Sequence, residues 1–302
     1  MLAVTHRFRY SNMYESFYGL NEKPFQLPPD ARYFYCSESH HVALSALESA
    51  IDSQSGFAVV TGDTGAGKTL LIRKWLQKCD SALSIGLLSN TRLESTQSLL
   101  QWILLAFKLT PYDGESSARL YEVFADYLTE QYAKGRRVVL IIDEAQHLSK
   151  ALLEQLRLLS NINADDKNLL QLVLLGQSGL RATLMDVSMC SFVHRISVDS
   201  HIDQLDEVQT GDFINHRLSI AGAQREIFTA SAVSGIWEKT GGVPRSINLL
   251  CDSALMFGFS EYLPLVGRDI IKDVFHEKRK GLSALSATVE SEQKVLSLQT
   301  VG

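Results

Sequence analysis

The segment Gly62-Asp63-Thr64-Gly65-Ala66-Gly67-Lys68-Thr69 constrains the fold of this chain more than any other stretch. It follows a short apolar run at 57–60 and precedes a helix-like run at 70–76. A strand, a turn with the pattern G-x-x-x-x-G-K-[ST] and a helix, in that order, are typical of a phosphate-binding P-loop. The glycines let successive backbone N–H groups point at phosphate oxygens, and the helix N-terminus adds its positive end.

The side chains in this turn predict the cofactors. Lys68 would reach the β- and γ-phosphates of ATP, and the Thr69 hydroxyl would hold Mg²⁺. The backbone of the whole segment, Gly62 to Thr69, would bind the remaining phosphate oxygens. The alternative is a glycine-rich turn that binds nothing.

A second signal is the apolar run Val138–Ile142, which ends in Asp143 and Glu144. An apolar run without alternation is typical of a strand buried on both faces, as in a parallel sheet. Ligands of such sheets bind at the carboxyl ends of the strands, so both carboxylates would arrive beside the P-loop. Asp143 would hold Mg²⁺ through water or Thr69, and Glu144 would polarise the attacking water. The alternative is a solvent-facing pair of acids at a strand end.

Polar residues end two further predicted strands. Gln177 follows the apolar strand 169–175 and would touch the γ-phosphate or the water, or else is a plain turn residue. Asn90 follows the strand 83–88 and would hydrogen-bond Glu144 and hold it inactive. The alternative for Asn90 is a helix N-cap in Ser-Asn-Thr.

Two arginines are candidates for contacts with the phosphates. Arg195 would enter the γ-phosphate site of a neighbouring subunit and stabilise charge in the transition state. A surface salt bridge is its alternative. Arg245, in Gly-Gly-Val-Pro-Arg, begins a helix and would reach the phosphates from above, or else is an exposed charge in a first turn.

Composition narrows the class of protein. The 302 residues carry 29 basic and 34 acidic side chains, a net charge of -5, which gives no global reason to expect nucleic acid. The four cysteines form no C-x-x-C pair, and no apolar run is as long as a membrane span. The segment from Met1 to Asn12 has no apolar h-region, so it is not expected to be a secretory signal. We therefore expect a cytoplasmic protein, attached to the inner membrane, if at all, through a partner.

Alternation of strands and helices predicts an α/β fold, a P-loop doubly wound parallel sheet, followed by a small helical lid domain. The predicted boundaries are 1–38 for an aromatic and proline-rich strap, 39–204 for the P-loop domain, 205–280 for the lid and 281–302 for a disordered tail. Either Met1 or Met13 would be the translation start, since patterned sequence begins at Met13.

With these motifs described, the sequence resembles the ExeA-like secretion ATPases of the AAA+ superfamily. This group includes general secretion pathway protein A, MshM-like pilus-biogenesis ATPases and ATPases of exosortase-linked exopolysaccharide loci. The resemblance runs from Met13 to about Lys280. It rests on 13–20 (MYESFYGL), 22–25 (EKPF), 62–69 (GDTGAGKT), 140–146 (LIIDEAQ), 156–161 (LRLLSN), 174–177 (LLGQ) and 241–252 (GGVPRSINLLCD).

The resemblance implies a role for each candidate residue and oligomers with nucleotide at subunit interfaces. The implied roles are Walker A for Lys68 and Thr69, Walker B for Asp143 and Glu144, sensor 1 for Gln177, arginine finger for Arg195 and sensor 2 for Arg245. The chain departs from the family's usual Gly-Gln-Pro-Glu-Leu at 176–180 and from its usual Gln-Arg-Ile at 194–196.

Two functions from different classes remain open at this stage. The first is an Mg²⁺-dependent ATPase that acts as a motor or switch, with membrane-associated secretion or surface-assembly proteins as partners. The chain has the length of the shorter pilus and exopolysaccharide relatives, whereas general secretion pathway protein A continues into a membrane helix and a periplasmic domain. The second is an ATP-dependent DNA-binding regulator related to TniB-type transposition ATPases.

Overall fold

The computed structural model describes residues 14–54, 56–79, 82–89, 95–110, 114, 116–164 and 167–277. The predictions made for the start of the chain, for Asn90 and for the tail 281–302 lie outside these residues.

Eleven helices and seven strands are named here in chain order. The helices are α1 (Glu15–Tyr18), α2 (Glu38–Asp52), α3 (Lys68–Leu76), α4 (Thr96–Ala106), α5 (Ser117–Ala133), α6 (Lys150–Leu159), α7 (Ser178–Leu184), α8 (Cys190–Val193), α9 (Glu207–Ile220), α10 (Ala230–Thr240) and α11 (Pro244–Ser260). The strands are β1 (Phe57–Gly62), β2 (Leu83–Leu88), β3 (Arg137–Ile142), β4 (Asn163–Ala164), β5 (Lys167–Asn168), β6 (Leu170–Gly176) and β7 (Ile196–Ile202). Residues 268–277 are also helical.

Five of the strands form one parallel sheet in the order β2-β3-β6-β1-β7. The central strands β1, β3 and β6 are buried almost throughout, as expected for a sheet covered on both faces. The predicted α/β fold with a doubly wound parallel sheet is therefore confirmed. The short antiparallel pair β4–β5 was not predicted, because two-residue strands leave no periodic signal.

The register of the sheet brings the polar strand ends to one edge. Thr61 in β1 pairs with Gly176 in β6, and Ile142 in β3 pairs with Leu174 in β6. Because all three strands are parallel, the residues that follow them leave the sheet side by side. These residues are the P-loop, Asp143-Glu144 and Gln177.

The chain divides into two compact units. The α/β unit is Cys36–Asp203, and the helical unit combines residues 14–35 with residues 204–277. The described part of the N-terminal strap, from residue 14 to residue 35, is grouped with the helical unit. Its aromatic residues have no regular spacing, so they need the faces of α9, α10 and α11 to be buried. The strap residues in this core are Tyr14, Tyr18, Leu20 and Phe25.

A buried arginine joins the strap to α9. Arg217 is 5% exposed, and its guanidinium donates to the carbonyls of Pro24 at 2.7 Å and Gln26 at 3.5 Å. The same group lies over the rings of Tyr33 and Phe213.

Within the described residues, no helix is long and apolar enough to span a bilayer.

Candidate functional site

The turn between β1 and α3 has the backbone that a phosphate loop needs. Gly65 and Gly67 have φ angles of +85° and +104°, which L-residues with a side chain rarely adopt. At Gly62 an added Cβ would lie 2.9 Å from the carbonyl oxygen of Ile202 in β7. The glycines are therefore required both by the curl of the loop and by its close approach to the sheet.

Lys68 lies in the mouth of this loop. Its side chain is 6% exposed, and Nζ donates to the carbonyls of Gly62 at 2.8 Å and Asp63 at 2.9 Å. Burial lowers the pKa of the ammonium, and the nearby carboxylates of Glu144, Asp143 and Asp63 act in the opposite direction. A buried cation on two backbone carbonyls, at the start of a helix, fits a phosphate group.

Thr69, which follows β1, and Asp143, which follows β3, lie in hydrogen-bond contact. The Thr69 hydroxyl donates to Asp143 Oδ2 at 2.6 Å, and the second oxygen of Asp143 accepts from the backbone N–H of Glu144 at 2.9 Å. A hydroxyl and a carboxylate are hard oxygen ligands, the kind that Mg²⁺ prefers. This pair fits an Mg²⁺ ion held beside the phosphates.

Glu144 is held by two amide side chains. Its Oε2 accepts from Gln146 Nε2 at 2.5 Å and from Gln177 Nε2 at 3.2 Å. Gln146 Oε1 in turn accepts from the backbone N–H of Gln177 at 3.0 Å. Glu144 also has a φ of +55°, a sparsely populated conformation for a residue with a side chain. The closed set of hydrogen bonds fixes this strained residue at the sheet edge.

Two residues at this site were missed from the sequence. Gln146 was read only as part of a motif, although a glutamine two residues after a strand-end glutamate is a usable signal. Ser178 stands where the related family usually has proline, and its hydroxyl donates to Asp63 Oδ1 at 3.2 Å. This contact joins the residue after Gln177 to the P-loop.

Arg195 is not brought to the P-loop of its own chain. Its carbonyl accepts from the N–H of Phe57 at 3.2 Å, so it lies at the amino end of β1, while Gly62 ends that strand. Five residue steps separate these ends, about 16 Å of strand. Its guanidinium donates to the Ser160 hydroxyl at 3.1 Å. Within one α/β unit, Arg195 therefore lies at the amino ends of the sheet strands and Lys68 at their carboxyl ends.

Arg245 is exposed in the first turn of α11, in the helical unit. The turn before it is tightly packed, because an added Cβ at Gly242 would lie 1.8 Å from the Leu205 carbonyl oxygen. Leu205 N–H also donates to the Gly242 carbonyl at 3.0 Å. The backbone that presents Arg245 is thus fixed within its unit.

Comparison with known proteins agrees with this geometry. The family described as AAA domain matches residues 51–184, which include the P-loop, Asp143-Glu144 and Gln177. The parallel sheet, the P-loop and this match together define a P-loop protein with an AAA domain.

The relative found in Aeromonas hydrophila, general secretion pathway protein A, is 38% identical over 249 residues. The chain is an ExeA-like AAA ATPase, as the motifs predicted. The match covers 82% of this chain and 45% of the relative, so the chain spans less than half the length of the protein it matches.

Solved structures of other AAA proteins share the fold. Drosophila ORC bound to DNA gives a TM-score of 0.66 at 16% identity, covering 92% of this chain and 69% of that chain. The Aeropyrum pernix ORC2 protein, in ADPNP–ADP complexes, gives 0.61 at 13% identity, covering 85% and 72%. Identities this low show the fold alone.

Proposed function

We propose that this protein binds and hydrolyses ATP with Mg²⁺ and acts as a motor or switch in secretion or cell-surface assembly. The observation that carries the hydrolysis proposal is the set of side chains that meet at one edge of the sheet. There the Lys68 ammonium and the Thr69 hydroxyl follow β1. Asp143 and the amide-held Glu144 follow β3, and β6 lies between these two parallel strands.

The roles of the residues follow from their contacts. Lys68 exchanges its two carbonyl partners for phosphate oxygens, and the backbone N–H groups of the loop bind the remaining ones. Thr69 and Asp143 hold Mg²⁺, which neutralises charge on the phosphates when bound. Glu144 accepts a hydrogen bond from the attacking water and takes up its proton.

Gln146 and Gln177 control when Glu144 can act in this scheme. While both amides donate to Glu144 Oε2, part of its accepting capacity is occupied. A γ-phosphate gives the Gln177 amide a second acceptor, which releases Glu144 toward water. Gln146 then keeps Glu144 in place, because it bonds both Glu144 and the backbone of Gln177.

Arg195 acts, in this proposal, on a neighbouring subunit. Its position at the amino end of β1 keeps it away from the phosphates of its own chain. An arginine offered to the next subunit's γ-phosphate stabilises transition-state charge and makes hydrolysis depend on a homo-oligomer. Arg245, in the first turn of α11, keeps the sensor 2 role that the family resemblance implies for it.

The secretion role rests on the relative, whose name places it in the general secretion pathway. We propose a cytoplasmic location, with attachment to the inner membrane through secretion or surface-assembly partners. DNA binding is the other candidate, and the net charge of -5 gives it no support. The DNA-bound structures that share the fold do not favour it either, since their identity is 16–17%.

The hydrolysis proposal is tested by steady-state phosphate release with ATP and Mg²⁺, for wild type and Lys68→Ala, with and without duplex DNA. We expect turnover in wild type that is absent in Lys68→Ala and unchanged by DNA. Equal rates in the two proteins would remove the proposed activity, and stimulation by DNA at low salt would favour the regulator instead.

The subunit proposal is tested by mixing two inactive variants, Glu144→Gln and Arg195→Ala. If Arg195 acts between subunits, a mixed oligomer pairs an intact Glu144 with an intact Arg195 from its neighbour. Activity then reappears in the mixture and rises with protein concentration. A mixture that stays as inactive as its components would show that Arg195 does not act in this way.

A further inference from the structure

We propose that His40 is a positioning residue for nucleotide binding, which orients the Ala66–Gly67 peptide of the P-loop. The inference rests on the proposed nucleotide site and adds a residue to it. His40 lies in the first turn of α2, 26 residues before Ala66, and the residue is 3% exposed. It was not singled out by the sequence, because the adjacent pair His40-His41 has no metal-ligand spacing.

The hydrogen bonds of the ring fix its tautomer. His40 Nε2 lies 3.0 Å from the Ala66 carbonyl oxygen, and a carbonyl can only accept, so Nε2 carries the proton. The Ser37 hydroxyl lies 2.6 Å from Nδ1 and donates to it, while its oxygen accepts from the His40 backbone N–H. Burial lowers the pKa of the imidazole, which keeps the ring neutral and this arrangement intact.

The contact with Ala66 determines where the next amide points. In a planar trans peptide, the C=O of one residue and the N–H of the following residue point in opposite directions. By holding the Ala66 carbonyl toward α2, His40 aims the Gly67 N–H away from α2. This N–H belongs to the run of loop amides that bind phosphate oxygens.

The ring also lies against the loop itself. A Cβ added at Gly67 would be 2.9 Å from His40 Nε2, so the imidazole occupies the space beside this glycine. Gly67 is therefore required twice, by its φ of +104° and by the histidine packed on it. The imidazole packs against the loop and sterically prevents a flip of the Ala66–Gly67 peptide.

The test compares His40→Phe, His40→Gln and His41→Phe with wild type, using ADP as the probe. Phenylalanine fills the space without a donor, and the glutamine amide replaces Nε2. His41 is exposed, so its substitution is the matched control. Two properties are measured: the Kd for ADP, and the chemical shift of the Gly67 amide proton with and without ADP.

We expect His40→Phe to raise the Kd for ADP roughly threefold to tenfold, the loss of one hydrogen bond. The downfield shift of the Gly67 amide on ADP binding should shrink in this variant and be restored in His40→Gln. If His40→Phe does not fold, His40→Asn, whose amide is too short to reach Ala66, takes its place.

Wild-type affinity and an unchanged Gly67 shift in a folded variant that lacks the donor would overturn the inference and leave the nucleotide site standing. A His41→Phe effect as large as that of His40→Phe would overturn it as well, since the contact would then not be the cause. A wild-type protein that binds no ADP would remove the nucleotide site together with the role of His40.

Discussion

Each unit of this protein buries one cation on backbone carbonyls, and the two sites differ in what surrounds them. Lys68 in the α/β unit is 6% exposed and has three carboxylates nearby. Arg217 in the helical unit is 5% exposed and lies between the rings of Tyr33 and Phe213. Acids around a lysine suit a site that exchanges partners, whereas aromatic rings around an arginine suit permanent packing.

Burial lowers the pKa of both cations. Burial lowers the pKa of Arg217 to about 10, so its guanidinium remains charged at neutral pH and keeps its carbonyl partners. Burial also lowers the pKa of Lys68, where Glu144 is the first of the groups that favour the charged form; at Arg217 the first of these groups is Tyr33. Burial of a cation therefore does not by itself indicate function. The groups that face the cation determine whether it serves binding or packing.

The largest expected effect is on catalysis in the α/β unit. Glu144→Gln removes the proton acceptor but keeps the size and hydrogen-bonding capacity of the side chain. We expect kcat to fall by at least about 100-fold, with the Kd for ATP within about threefold of wild type. Steady-state kinetics and nucleotide titration measure the two quantities. A kcat close to that of wild type would exclude Glu144 as the base.

The second effect contrasts the two cations directly. Arg217→Met leaves the Pro24 carbonyl without its donor and removes the group that holds the strap. We expect the free energy of unfolding to fall by about 3 kcal/mol. Lys68→Met removes a buried charge from a site built for exchange, so we expect a change of less than about 1 kcal/mol. Urea unfolding measures both, and equal losses in the two variants would contradict the comparison.

How much of the fold and of the site can be predicted depends on how far apart in the sequence the residues of each contact or motif lie. The P-loop, the buried strands and Asp143-Glu144 are local patterns, and the sheet confirms the fold that they imply. The contact between His40 and Ala66 spans 26 residues, and that between Arg217 and Pro24 spans 193. Such contacts depend on how the elements pack, which neither periodicity nor spacing in one sequence reveals.

Gln146 is an intermediate case between the local motifs and the long-range contacts. It is only two residues from Glu144, but its role depends on the left-handed backbone of Glu144, which turns the two side chains toward each other. The sequence names Asn90 as the partner of Glu144, and the structure adds Gln146 and Gln177. The sequence shows that Gln146 follows the strand-end acid Glu144, but it does not show how the two side chains are oriented.

A third prediction concerns this residue. Gln146→Met keeps the length of the side chain and removes both hydrogen bonds. We expect kcat to fall by about tenfold with KM unchanged, because Glu144 loses its positioning and the phosphate contacts remain. His147→Ala, at the exposed neighbouring residue, is the control. A change in KM alone would show that Gln146 serves binding and not the position of Glu144.

The smallest effect is a pH dependence that both units share. Burial lowers the pKa of His40 in the α/β unit and of His216 in the helical unit below the ordinary 6.5. As the pH falls below about 6.5, the unfolded rings bind protons before the folded ones, so stability decreases until the folded pKa values are passed. The slope is at most about 1.4 kcal/mol per pH unit for each ring.

Replacing each histidine by glutamine separates the two contributions to this slope. His40→Gln should reduce the acid sensitivity of the α/β unit, and His216→Gln that of the helical unit, in urea unfolding between about pH 5 and 7. A slope that is the same in wild type and both variants would show that neither ring is responsible.

The most direct test of the central claim is the stabilisation of the protein by ATP and Mg²⁺. If the Lys68 site binds the phosphates, saturating ATP raises the free energy of unfolding of wild type, by about 2.7 kcal/mol at 100 times the Kd. Lys68→Met should show almost none of this gain while remaining folded. An equal gain in wild type and Lys68→Met would contradict the assignment of this buried cation to nucleotide binding.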